Sequence, residues 1–61
     1  LSEREREIAD GVREGSSNIE IAKRLGLSVK TIEYHLSRIY ARFGFRSRAQ
    51  LAALVEREGR R

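Results

Sequence analysis

Apolar side chains recur along this chain at spacings of three and four, the period of helices that turn one face inward, and short polar or glycine-containing breaks interrupt them. The pattern predicts an all-α fold, a compact four-helix domain with helices at about residues 3–14, 18–25, 29–43 and 48–58. Ser2 followed by Glu5 makes a capping box at the start of helix 1, whose apolar stripe is thin: Ile8, Ala9 and Val12. Three such positions do not make heptads, so a coiled coil is excluded. Gly11 lies inside that helix at a cost of about 1 kcal/mol relative to alanine. Either it admits a neighbouring helix at close range, or helix 1 is the least stable part of the fold. Gly15 and the Ser16-Ser17 pair end the segment.

Helix 2 takes Ser17 or Asn18 as its cap, and with Ser17 in that place Glu20 completes a second capping box. Ile21, Ala22 and Leu25 form its buried face, while Glu20, Lys23 and Arg24 look outward. Gly26 suits the left-handed position that ends a helix, with Leu27 packing back over that end. Helix 3 opens at Ser28 with Thr31 in its first turn. Val29, Ile32, Leu36, Ile39 and Phe43 share one face and are assigned to the core. The opposite face carries Lys30, Glu33, Tyr34, Ser37 and Ala41, with Arg38 and Arg42 on a flank. A short helix, a glycine turn and a serine-capped second helix are the parts of a helix-turn-helix, whose second helix can enter a DNA major groove.

Gly44-Phe45-Arg46 breaks the period, and Ser47 is the expected cap of helix 4. Ala49, Leu51, Ala52, Leu54 and Val55 give that helix more apolar surface than one contact with the other three requires. Leu51, Leu54, Val55 and Glu58 therefore form a candidate stripe between two copies of the chain. The plainer assignment for Leu51 and Val55 is ordinary core. Gly59-Arg60-Arg61 reads as a frayed tail whose arginines either graze phosphate or touch nothing.

Composition narrows the chemistry. Sixty-one residues make one domain, and a chain of that length buries only roughly 60% of its unfolded surface, so the core is small. There is no cysteine and a single histidine, which leaves no disulfide, no thiolate site and no multi-histidine metal cluster. No Gly-rich phosphate loop or apolar pair of carboxylates is present, so no catalytic residue, cofactor or metal is expected. His35 is assigned a structural role, hydrogen-bonding within the domain, a helix 1 carboxylate or backbone carbonyl being one candidate partner, with a DNA phosphate contact as the alternative; catalysis is set aside because triad chemistry needs partners and a concave site that so short a chain lacks. No apolar run is long enough to cross a bilayer, and the acidic opening is unlike a signal peptide; the expectation is a cytoplasmic protein with no membrane partner, and an end domain of something longer.

Charge is unevenly placed. Residues 1–29 hold five basic and six acidic side chains, whereas residues 30–61 hold eight basic and three acidic. A basic half attracts phosphate. Tyr34, flanked by outward Lys30 and Glu33, is expected to be exposed, where it can meet a thymine methyl or a phosphate. Arg46 and Arg48 are expected beside the helix 3 N-terminus as a phosphate clamp.

Several stretches stand together: Leu1-Ser2-Glu3-Arg4-Glu5-Arg6-Glu7-Ile8, Ser17-Asn18-Ile19-Glu20-Ile21-Ala22, Leu25-Gly26-Leu27-Ser28, Thr31-Ile32-Glu33-Tyr34-His35 and Gly44-Phe45-Arg46-Ser47-Arg48. In that order and spacing the chain closely resembles the LuxR-type helix-turn-helix family of bacterial transcription regulators, over nearly its whole length. The resemblance implies that residues 1–61 are a four-helix DNA-binding domain at the C-terminal end of a larger regulator. It further implies dimeric binding of double-stranded promoter DNA, with helix 3 in the major groove and helix 4 in the dimer contact. Carried over by position, Lys30, Glu33, Tyr34 and Ser37 face base edges, while Ser17, Asn18, Thr31, Arg38 and Arg48 sit near phosphates.

The chain departs from the family in three places. Glu33 stands where the family very often has lysine; a carboxylate can accept from cytosine N4 but is repelled by phosphate, so Glu33 either helps to specify a cytosine or fixes a neighbouring arginine. Ala9 and Gly11 replace larger apolar side chains, which predicts a looser helix 1. Ile19 replaces a commonly basic or polar residue and is left exposed. The alternative function is a protein-interaction module docking RNA polymerase or the regulator's own N-terminal domain through helix 4 or the outer face of helix 3.

Overall fold

Serine hydroxyls open the first three of the four helices, α1 (Glu3–Arg13), α2 (Asn18–Leu25), α3 (Val29–Phe43) and α4 (Arg48–Gly59), in a computed structural model that describes residues 1–59. Arg60 and Arg61, expected as a phosphate-grazing tail, lie outside the described residues. At α1 the Ser2 hydroxyl accepts from the Glu5 amide at 3.2 Å and the Glu5 carboxylate accepts from the Ser2 amide at 2.9 Å. Ser17 and Glu20 repeat the arrangement at α2, at 3.1 and 2.8 Å. Ser28 accepts from the Thr31 amide at 3.1 Å. Each cap is worth about 1 kcal/mol. At α4 the structure departs from the expected Ser47 cap: the Arg46 amide donates to the Gln50 side chain, and among the described residues the Ser47 hydroxyl makes no hydrogen bond.

Two helices stop on glycine. Gly26 and Gly44 adopt φ of 70° and 71°, the left-handed conformation that costs a residue with a Cβ about 1–2 kcal/mol. The reversal lets the Leu27 amide donate to the Ala22 carbonyl and the Phe45 amide to the Tyr40 carbonyl, both at 2.9 Å. Carbonyls that a helix end would otherwise leave orphaned are thereby satisfied. Leu27 and Phe45 then fold back against the core.

That core joins all four helices. Ile8, Ala9, Ile21, Ile32, Ile39 and Leu51 are wholly removed from water, with Val12, Ala22, Leu36 and Val55 nearly so. α1 packs most extensively on α4, and α2 on α3. The close-approach reading of Gly11 holds: a Cβ there would stand 2.6 Å from Ile21 Cγ1, well inside contact distance. Ala9 is likewise fully buried. The small side chains of α1 are matched to near neighbours instead of leaving a gap.

Two further expectations are revised. Phe43 lies on the core stripe of α3 by period, yet it is 41% exposed, because the last turn overhangs the helices that cover Ile32 and Ile39. It stacks on Phe45 instead, ring centroids 5.3 Å apart. Leu51 and Val55, offered as part of a stripe between copies, are 0% and 3% exposed inside the chain's own core and have no surface left for a partner.

Candidate nucleic-acid interface

Burial of Ile32, Leu36 and Ile39 fixes the rotation of α3, and the opposite side of the helix faces solvent. Lys30, Glu33, Tyr34 and Ser37 are all exposed there, Tyr34 at 57%. Four side chains of different chemistry, a cation, a carboxylate, a phenol and a hydroxyl, thus share two turns of one anchored helix. The Arg38 guanidinium lies 5.6 Å from the centre of the Tyr34 ring and donates from Nη1 to the Tyr34 hydroxyl at 3.0 Å. An i,i+4 spacing brings the two together on the helix surface. His35 is half-buried and meets the Tyr34 ring edge-on at 5.8 Å. Its expected hydrogen bond to helix 1 is not formed; among the described residues the imidazole has only this ring contact.

The N-terminus of α2 lies beside this face. Arg48 reaches across from the start of α4, donating from Nη1 to Asn18 Oδ1 at 2.7 Å and from Nη2 to the Ser16 carbonyl at 2.9 Å. One guanidinium therefore holds the α1–α2 turn, the first residue of α2 and the first residue of α4 in fixed relation. Two adjoining surface grooves meet at Asn18, Glu33 and Arg48. Ile19, 61% exposed, and Val29 border one; Ser37 and Tyr40 border the other. Tyr40 was not singled out in the sequence, although counting four and seven from Glu33 reaches Ser37 and then Tyr40. Among the described residues its buried hydroxyl has no hydrogen-bond partner.

Of the other expected phosphate-side residues, Ser17 is exposed at the head of α2, and the Thr31 hydroxyl is 2.9 Å from that of Ser28. Arg46 is placed differently from the expected clamp. It follows the Gly44 cap that ends α3, and its described contact is the bond from its amide to the Gln50 side chain, not one at the first turn of α3. Its side chain is exposed. On α4, Glu58 is paired with Arg6 of the same chain and Leu54 is half-buried, which leaves Leu54 as the member of the expected interface stripe that is neither core nor ion-paired.

Away from this face, several charges pair within the domain. Arg42 Nη2 donates to the Glu5 carboxylate at 2.6 Å, joining the last turn of α3 to the first turn of α1. The Ser2 amide, followed by Arg42, holds the Glu5 carboxyl below its ordinary value, outweighing the effect of burial. Arg13 pairs with Glu56 across α1 and α4 at 3.7 Å, and Arg24 with Glu14 at 3.2 Å. No cluster of three or more His, Cys, Asp or Glu able to hold a metal ion exists among the described residues, and none of their helices is long and apolar enough to cross a membrane.

The family model for bacterial regulatory proteins of the luxR family matches residues 1–55. The transcriptional regulatory protein TdiR of Thauera aromatica is 51% identical over 57 residues, 93% of this chain and 25% of TdiR. The C4-dicarboxylate transport transcriptional regulatory protein DctR of Rhodobacter capsulatus is 44% identical over 51 residues, 84% of this chain and 26% of DctR. The HTH-type protein Rv0890c of Mycobacterium tuberculosis is 44% identical over 59 residues, 97% of this chain and only 7% of that protein. The chain thus spans about a quarter or less of these curated relatives. No solved structure matches it.

Proposed function

Because this chain belongs to the luxR family of bacterial regulatory proteins, whose helix-turn-helix domains bind DNA and are not catalytic, we propose that it reads promoter DNA with α3 lying in the major groove. One observation carries this reading: the outer face of α3 holds Lys30, Glu33, Tyr34 and Ser37 in water above an anchor of fully or nearly buried Ile32, Leu36 and Ile39. In it, those four side chains meet base edges. Ser17, Asn18, Thr31, Arg38, Arg46 and Arg48 lie toward phosphates, with the Arg48 bonds to Asn18 and Ser16 ordering the head of α2 where the backbone of the duplex passes. Phosphate contacts set register, and base contacts set preference.

Two copies pair through α4 in this proposal. With Leu51 and Val55 in the core, the shared surface is the outer row of Gln50, Ala53, Leu54 and Arg57, spaced as one helical face. Half-sites then repeat about 34 Å apart, one turn of duplex. The chain acts in the cytoplasm as one domain, residues 1–61, at the C-terminal end of a longer regulator, in keeping with its small share of the relatives' lengths.

An anisotropy titration against a panel of duplexes tests the reading. Lys30→Ala and Tyr34→Ala are expected to change which sequence is preferred. Arg48→Ala is expected to weaken all sequences alike and to lower the salt slope by about 1. Unchanged preference in both α3 variants refutes base reading by this helix. Binding that needs no DNA and survives strong salt favours the protein-docking alternative instead.

A further inference from the structure

Glu33 is the single carboxylate between Glu20 and Glu56, a stretch that carries seven lysines and arginines. It stands at the centre of the exposed face, where the two grooves beside Asn18 and Arg48 meet. A negative charge there opposes any approach to a polyanion unless a donor on the nucleic acid receives it. Two explanations were open from sequence: a partner for a neighbouring arginine, or a base contact.

The geometry removes the first. Among the described residues no cation lies within ion-pair distance of Glu33. Arg48, which lines both grooves with Glu33, donates instead to Asn18 and the Ser16 carbonyl, and Arg38 donates to the Tyr34 hydroxyl. Lys30, one helical turn earlier, likewise has no ion-pair partner among the described residues. The face thus presents an unengaged donor and an unengaged acceptor side by side.

We infer that Glu33 is a specificity determinant that accepts a hydrogen bond from the exocyclic amino group of a cytosine in each half-site. The inference rests on α3 being the base-reading helix. Cytosine offers its N4 amino group to the major groove with an acceptor on one side only, O6 of the paired guanine, and its own C5–H on the other. Adenine places the acceptor N7 next to its amino group, and guanine and thymine present acceptors that repel a carboxylate. The same charge discriminates against every other register by facing phosphate or a carbonyl oxygen. Lys30 supplies the complementary donor, suited to guanine O6 and N7, so the pair favours a half-site in which C and G fall within one turn of the helix.

Selection of bound duplexes from a random pool, with the 61-residue chain and its E33Q, E33A and E33K forms, tests this at two salt concentrations. The unmodified chain is expected to select one half-site position as C, on either strand. E33A should lose that preference by at least about fivefold while the other positions hold, and E33Q should shift it toward adenine, which glutamine can contact at N6 and N7. E33K should bind unselected DNA more tightly, with a salt slope steeper by about 1. Because Glu33 is exposed, all four forms should melt together. A selected position that is identical in the unmodified, E33Q and E33A pools, or one fixed as adenine in the unmodified pool, overturns the inference. A pool with no preference at any position overturns base reading by α3 itself, and Glu33 with it.

Discussion

Two surfaces of this domain both carry charged side chains and differ in what those charges touch. On the α1 side, Arg6, Arg13 and Arg42 meet Glu58, Glu56 and Glu5, each carboxylate lying far away in sequence. On the outer face of α3, Lys30 and Glu33 form no ion pair among the described residues, although only a helical turn separates them. Exposed ion pairs contribute roughly 0–1 kcal/mol each, so the first surface owes little stability to its pairing. What pairing does is leave it electrostatically quiet. The face that retains free donors and acceptors is the one with something to exchange for water, and counting charges in the sequence does not separate the two.

The sharpest test contrasts the two sides of α3. Ile32→Ala removes a fully buried anchor and should cost about 2–5 kcal/mol. For so small a domain each kcal/mol moves Tm by roughly 4–8 °C, so much of the chain should be unfolded at 37 °C by circular dichroism. Lys30→Ala, two positions away on the outer face, should leave Tm within the range of ordinary surface changes, about 0.5 kcal/mol. Comparable losses from the two would erase the distinction between anchor and reader.

A smaller loss is expected from Gly11→Ala. Forcing a methyl against Ile21 costs about 1–3 kcal/mol, partly offset by the helix propensity of alanine at about 1 kcal/mol. Urea denaturation should show a lower midpoint; a rise would mean that α1 and α2 separate easily. Glu5 gives the mildest and most conditional effect. Its folded carboxyl titrates below the ordinary range, so its stabilising contribution is complete above the unfolded value near about 4.3 and fades as pH falls through the lowered folded value. Glu5→Gln should be less stable at neutral pH and should lose less on acidification, the two melting curves converging in acid. Parallel curves down to the lowest pH would mean that neither the Ser2 amide nor Arg42 holds the Glu5 carboxylate in solution.

Much of this architecture was legible because its punctuation is local. Serine at each of the first three helix starts and glycine at two helix ends act through hydrogen bonds within four or five residues, and sequence spacing reports them directly. Period alone could not place Phe43. The stripe is correct, but whether a neighbour covers its last turn depends on how far the other helices reach. Leu51 and Val55 were ambiguous for a related reason: an apolar helix face does not say whether its own core or a second copy receives it. The Glu5–Arg42 contact spans 37 residues, and a glutamate in a first turn ordinarily faces water, so nothing nearby signalled its burial. The candidate site was legible as a face and illegible as a network. Which of its groups are engaged, as Arg48 is with Asn18, and which are free, as Glu33 is, depends on side chains brought together from different helices.

The serine and glycine boundaries also bear on how quickly the domain takes shape. Helices that carry their own start and stop signals need no distant strand to align them, and domains dominated by such short-range contacts fold in microseconds to milliseconds. A chain of this kind spends little time with Ile32 or Leu51 open to wrong neighbours, which lowers its exposure to aggregation while it is being made.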